Sequence, residues 1–330
     1  MQTADGSSNR RTFCWTLGGA LIAPVAAMAQ ASRVRRIGVL DPGSPDEPEW
    51  YWKEAAPLRA LGWIEGENLR VERRYAEWRP EAQQALAEEL VRQKVELIVA
   101  NDSATALAAK YATNSVPIIV NSAGDPVLVG LVASLARPGG NVTGVALAMP
   151  EVTAKELSLF KRVVPGLQRI GYLYDAGNLF DRAHRPHIEH ICESLGLAPR
   201  MIELDAVADM RSVFQQLVEW RAQGLVVRNN LWHRRFEILE GAMKLRLPTM
   251  AADADMVREV GALMAYSPSW AALFRLRAKF IDRILRGAKP ADLPVEQPTV
   301  FELVINLKTA RALGIAVPKD LLLQASEIVQ

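Results

Sequence analysis

Val95-Glu96-Leu97-Ile98-Val99 runs through Ala100 into Asn101-Asp102-Ser103-Ala104-Thr105, where the residue pattern turns helical. A short β-branched run that ends on small and polar residues and restarts as a helix is half of a βαβ unit. The same alternation extends in both directions. Upstream stand Arg36-Ile37-Gly38-Val39-Leu40 and Leu69-Arg70-Val71-Glu72-Arg73; downstream stand Pro117-Ile118-Ile119-Val120 and Val142-Thr143-Gly144-Val145. Five strands with four intervening helices make one doubly wound parallel layer. A second series repeats it: Ile170-Gly171-Tyr172-Leu173-Tyr174, Arg200-Met201-Ile202-Glu203-Leu204, Gly224-Leu225-Val226-Val227, Pro248-Thr249-Met250 and Ala262-Leu263-Met264-Ala265-Tyr266. The expected fold is therefore α/β, with two doubly wound, Rossmann-like lobes and a ligand cleft between them. Crossings between the lobes are expected near 148–151, near 267–270 and in the proline-spaced stretch 289–298. This places 33–147 with about 268–296 in lobe I, and 148–267 with about 297–330 in lobe II. A last strand is expected over 300–305, then Asn306 as an N-cap and a helix over 307–313 ended by Gly314.

Residues 1–29 read as an address. Arg10 and Arg11 start it, residues 12–28 are uncharged and mostly apolar, and Ala27-Met28-Ala29 has the small-x-small pattern of a cleavage site. Cleavage after Ala29 and a periplasmic location are expected. Arg10-Arg11-Thr12-Phe13 resembles a twin-arginine export signal, with the general secretory route left open. A membrane anchor needs about 20 apolar residues; this run is shorter and holds Gly18, Gly19 and Pro24. Cys14 lies at the start of the apolar run, not after it as lipidation requires, and Cys192 alone remains in the mature chain, which forbids an internal disulfide. The formal net charge is +2, with acids and bases mixed throughout. No basic stripe matches a phosphate backbone, so nucleic acid is not an expected partner. Past the leader no second long apolar run occurs, so the mature chain is not expected to span a membrane.

Four stretches carry a family resemblance: Gly62-Trp63-Ile64-Glu65-Gly66-Glu67-Asn68-Leu69; Gly124-Asp125-Pro126-Val127 running on through Gly130-Leu131-Val132-Ala133-Ser134-Leu135-Ala136-Arg137-Pro138-Gly139-Gly140-Asn141-Val142-Thr143-Gly144; Ile284-Leu285-Arg286-Gly287-Ala288-Lys289-Pro290-Ala291-Asp292-Leu293-Pro294; and Phe301-Glu302-Leu303-Val304-Ile305-Asn306-Leu307-Lys308-Thr309-Ala310. In these the chain resembles the ABC transporter substrate-binding proteins of the tryptophan/tyrosine-type family, over nearly all of its mature length. The resemblance implies a type I periplasmic-binding-protein architecture and an extracytoplasmic receptor, monomeric and without chemistry of its own. It also implies a permease and an ATPase as separate chains, and aromatic amino acids as the ligands of named relatives.

In open parallel sheets ligands bind beyond the carboxyl ends of the strands, which makes the strand-exit loops the candidate site. From lobe I come Asp41 and Ser44, then Trp50 as a stacking surface, then Asn101, Ser103, Ala104 and Thr105, then Gly124 and Asp125. Ser103 or Asp102 caps the helix that starts there, and exposed amides at a helix start favour an anionic group. Asp125 either pairs with a ligand ammonium or caps the next helix, opened by Pro126, through Val127 or Leu128. From lobe II come Asp175, Asn178, Asn229 and Asp253. Here the loops 175–178 and 229–230 depart from the family, which usually has an asparagine- and proline-rich loop and then an aspartate-led aromatic one. His184, His187 and His190 are spaced like a helical stripe, but Pro186 interrupts the first turn, so exposed helix histidines are expected and no metal. No cofactor is implied. An enzyme is disfavoured: the chain lacks Gly-x-Ser-x-Gly, the phosphate loop and His-Glu-x-x-His. A secreted sensor for a membrane signalling partner is the remaining alternative.

Overall fold

Strand β1 (Arg35–Asp41) buries Ile37, Val39 and Leu40 because it has a neighbour on each side, β2 (Leu69–Tyr75) and β3 (Leu97–Ala100). With β4 (Ile118–Ala123) and β5 (Val142–Ala146) they form a five-stranded parallel sheet in the order β2-β1-β3-β4-β5. The computed structural model describes residues 34–45, 55–147, 150–175, 179–204 and 208–330, with backbone alone at 122–123 and 179–181. The expected leader, Trp50 and Asn178 lie outside the described residues.

Helices α1 (Ala55–Ala60), α2 (Gln83–Arg92) and α3 (Ser103–Ala112) link the first four strands. The expected fourth helix, between β4 and β5, is absent. Asp125 Oδ1 accepts the Val127 and Leu128 N–H groups at 3.0 Å each, Leu131 and Val132 N–H donate to the Pro126 carbonyl, and Gly130 and Gly139 take positive φ. Two left-handed glycines and Pro138 leave too little chain for a helix, and Leu131 and Val132 are buried as part of an irregular segment instead.

The second sheet contains β6 (Arg169–Asp175), β7 (Ala198–Leu204), β8 (Gly224–Val227), β9 (Thr249–Ala251), β10 (Met264–Pro268), β11 (Phe301–Asn306) and β12 (Glu327–Val329). Their order is β12-β11-β10-β9-β8-β6-β7, parallel except for the antiparallel β10–β11 pair. The edge strand β12 was not expected; three residues give too short a pattern to recognise in sequence. Helices α4 (Pro150–Val163), α5 (Leu179–Ser194), α6 (Met210–Glu219) and α7 (Arg235–Lys244) fall in this part of the chain. Contrary to expectation, α5 runs through Pro186: the missing bond falls between Arg182 and Pro186, both on the exposed side of the helix.

Helix α8 (Trp270–Leu285) follows β10 yet packs on the first sheet, where Leu273, Ala278, Ile281 and Ile284 meet Ile37, Val39, Leu97 and Val99 at helical spacing. Covering helices explain why inner strands such as β3 and β8 read as unbroken apolar runs, while the edge strands β2 and β7 are mixed. Asn306 caps α9 (Leu307–Leu313) as expected, accepting the Thr309 N–H at 3.0 Å, and Gly314 ends it at φ 74°; α10 (Lys319–Gln324) follows. No helix among the described residues is long and apolar enough to cross a membrane.

Both sheets share one topology. β1 lies between β2 and β3, and β6 between β7 and β8, so each sheet has a switch point where the chain reverses its direction of winding. Crevices at such points, beyond the strand ends, are where α/β sheets bind ligands.

Candidate functional site

A pocket opens at both switch points together. Pro42, which follows β1, and Asn101, Asp102, Ser103 and Ala104, which follow β3, face Asp175 at the end of β6 and Arg228, Asn229 and Asn230 after β8. Gly124, Trp78, Leu147, Glu156, Tyr172, His184, His187 and Trp270 complete most of the wall.

Of the residues expected from sequence, Asn101, Ser103, Ala104, Gly124, Asp175 and Asn229 line this pocket. Ser103 Oγ accepts the Gly124 N–H at 3.0 Å, which ties the third and fourth strand exits together. The cap of α3 is Asp102: its Oδ1 accepts the Thr105 N–H at 2.8 Å, while Thr105 Oγ1 accepts the Asp102 N–H at 3.1 Å. Thr105 is thus buried under the helix start, outside the lining.

Asp41 and Asp253 are structural supports below the wall. Asp41 Oδ1 accepts the Gly43 N–H at 2.7 Å, and its Oδ2 accepts from Asn101 Nδ2. Asp253 Oδ1 accepts the Asp255 N–H and Oδ2 accepts Trp270 Nε1–H at 3.1 Å, so it orients an indole that does line the pocket. Ser44 is half-buried and outside the lining, and Asp125 serves its turn.

Sequence reasoning missed Trp78, Glu156, Tyr172, Arg228 and Trp270. His187 and His190 are exposed as expected, while His184 is half-buried; the stacked rings of His184 and His187, 5.6 Å between centroids, form part of the wall. Trp78 has φ +59°, an uncommon backbone for an aromatic residue, and its N–H donates to Pro42 O at 2.7 Å. Its ring lies 4.6 Å from that of His233, in the turn after β8, so the first sheet's wall touches the second part of the chain just outside the lining.

Burial raises several acids here. Asp41 is pushed up to about 6 against the pull of the Gly43 and Asn101 hydrogen bonds. Burial likewise pushes Asp253 up to about 7, and Glu156 up to about 7 in spite of Arg228. Burial lowers His184 and His233. A carboxyl raised on folding binds a proton that the unfolded chain has already lost, so its contribution is present at low pH and disappears as pH rises through the folded value. The two histidines act the other way, below their ordinary value. Three raised carboxyls outweigh them, each worth on the order of 1 kcal/mol per pH unit inside its window. Urea midpoints are expected to fall between about pH 5 and about pH 8; a flat or rising profile would contradict these burials.

No group of metal ligands occurs among the described residues. A family model described as ABC transporter substrate binding protein matches residues 54–329. A tyrosine-binding protein of Clostridioides difficile (strain R20291) is 26% identical over 257 residues, 78% of this chain and 74% of that protein. Among solved structures, the ABC domain of a Streptococcus pneumoniae protein in complex with L-Trp is 25% identical with a TM-score of 0.82, covering 89% of this chain and 99% of that one. A conserved domain protein of Vibrio cholerae is 24% identical with a TM-score of 0.82, covering 90% and 100%. Two of these proteins are described by an amino acid they hold, tyrosine in one and L-Trp in the other.

Proposed function

The chain belongs to the ABC transporter substrate binding protein family, and we propose that it is the extracytoplasmic receptor of an ABC importer, closing two lobes on an amino-acid-type ligand. The observation that carries this reading is the pocket itself, which is built from the switch-point exits of both sheets. A ligand held there touches both lobes, so its binding free energy favours the closed form. The lobes divide at 33–147 with about 268–296 against 148–267 with about 297–330, and the three crossings serve as the hinge. Aromatic amino acids are the first candidates, because tyrosine and tryptophan are the ligands named for two relatives and Trp78, Tyr172 and Trp270 offer ring surfaces. Export removes residues 1–29, and the mature receptor works in the periplasm as a monomer with a separate permease and ATPase.

Thermal melting of the mature protein, stripped of carried-over ligand by unfolding and refolding, tests this against a panel of amino acids and small carboxylates. A true ligand at 100 times its Kd adds about 2.7 kcal/mol of stability. Small-angle scattering should show a smaller radius of gyration at saturation. A panel without any shift would remove the amino-acid reading, and a shift with an unchanged radius would remove closure.

A further inference from the structure

Glu156 of α4 is only 4% exposed, yet it lines the pocket. Its one hydrogen-bond partner among the described residues is Arg228 Nη1, at 3.3 Å from Oε2. A carboxylate offers about four lone-pair sites, so this one is under-satisfied for a charge removed from water. The acids at the first sheet's strand exits differ: Asp102 is committed to its helix cap, and Asp125 lies outside the lining with its Oδ1 held by two backbone amides. Beside Glu156 stands a guanidinium that also lines the pocket. A buried anion next to a cation is the complement of a group that carries ammonium and carboxylate on one carbon.

We propose that Glu156 reads the ligand's ammonium group while Arg228 faces its carboxylate, so that the receptor takes zwitterionic α-amino acids and refuses their deaminated counterparts. This rests on the amino-acid reading above and moves the ammonium contact from Asp125 to α4. The proposal has a proton signature. Burial raises the Glu156 carboxyl to about 7, and an ammonium at hydrogen-bond distance would lower it again. Binding near neutral pH therefore expels part of a proton, and affinity falls as pH drops below about 7. The charged and titratable groups around Glu156 are Arg228 after β8, Tyr266 on β10, Tyr172 and Asp175 on β6, and His184 and His187 on α5; β9, also packed on α4, contributes none.

Isothermal titration calorimetry tests this with the tightest amino acid of the panel, its decarboxylated amine and its deaminated acid. Each is titrated in two buffers of different ionisation enthalpy, against the wild type, Glu156→Gln and Glu156→Asp. Glutamine matches the shape of the protonated side chain, and the aspartate variant keeps the charge. In the wild type the deaminated acid should bind at least about tenfold more weakly than the amino acid. Glu156→Gln should lose a similar factor for the amino acid but not for the deaminated acid, and its buffer-dependent heat should vanish, while Glu156→Asp retains part of both. Equal binding of amino acid and deaminated acid by the wild type, or an equal loss of both in Glu156→Gln, would overturn the assignment and leave the receptor reading standing. If no amino acid binds the wild type, both fall together.

Discussion

Arg277→Met is expected to lower the free energy of unfolding by roughly 3–5 kcal/mol, the usual cost of removing one partner from a buried charged network. Arg277 is fully buried on α8, and its Nη1 donates to Asn101 Oδ1 at 2.6 Å. Asn101 in turn donates to Asp41, whose other oxygen accepts the Gly43 N–H. One chain of bonds thus joins the helix that returns from β10 to the exits of β1 and β3. Methionine keeps the length and apolar stem but leaves the Asn101 oxygen without this donor and Asp41 without a nearby countercharge. The Asp41 carboxyl, already raised to about 6, should rise further, because Arg277 is one of the groups that lower it. The deficit should therefore shrink on acidification. Asn101 and Ser103 line the pocket, so ligand affinity should fall along with the urea midpoint. A loss below about 1 kcal/mol would mean that this network is not what holds the first lobe's strand exits.

That network also shows where sequence stops informing. Asp41, Asn101, Asp125 and Asp253 look alike as polar residues at strand exits, and the rule for parallel sheets selects all four. Their fates diverge with side-chain direction: Asn101 reaches the pocket, Asp41 and Asp253 turn under it, and Asp125 folds back onto its own turn. Strand periodicity sets which loops gather, but not which way a loop residue points. Arg228 was within reach of the same rule, one residue before Asn229. Trp270 sits at the crossing read at 267–270, where its value was taken as hinge and not as wall. Glu156 and Trp78 had no comparable signal. One belongs to an amphipathic helix, where a buried acid looks like any polar residue, and the other to a turn whose positive φ no motif announces. The repeated βα pattern, by contrast, made both sheets and their switch points legible, because the strands β3, β5, β8 and β9 are buried throughout and so spelled almost wholly in apolar residues.

Gly144→Ala is expected to remove more than about 4 kcal/mol, enough to leave little folded protein. Gly144 has φ +134°, and a Cβ built there would stand 2.1 Å from Val120 O and 2.7 Å from Val120 N. Both are backbone atoms of β4, the partner strand in register at this point, so no side chain can move aside. The strands would have to separate, carrying Gly124 and Leu147 of the pocket wall with them. Gly166→Ala is the matched control: φ is also positive, at 73°, but the space is open, and the expected cost is about 1–2 kcal/mol. The neighbours of Gly144 in the family-like stretch are equally structural. Asn141 Nδ2 donates to the Thr113 and Val116 carbonyls, Thr143 Oγ1 donates to Leu293 O, and Gly144 O accepts the Glu296 N–H at 2.9 Å. The 141–144 end of the stretch therefore encodes the join between β5 and the segment returning toward β11. Soluble yield and far-ultraviolet circular dichroism of the two alanine variants decide the matter. A Gly144→Ala protein that melts as the Gly166→Ala control does would show that β4 and β5 can part without cost, and the structural role assigned to this motif would fail with it.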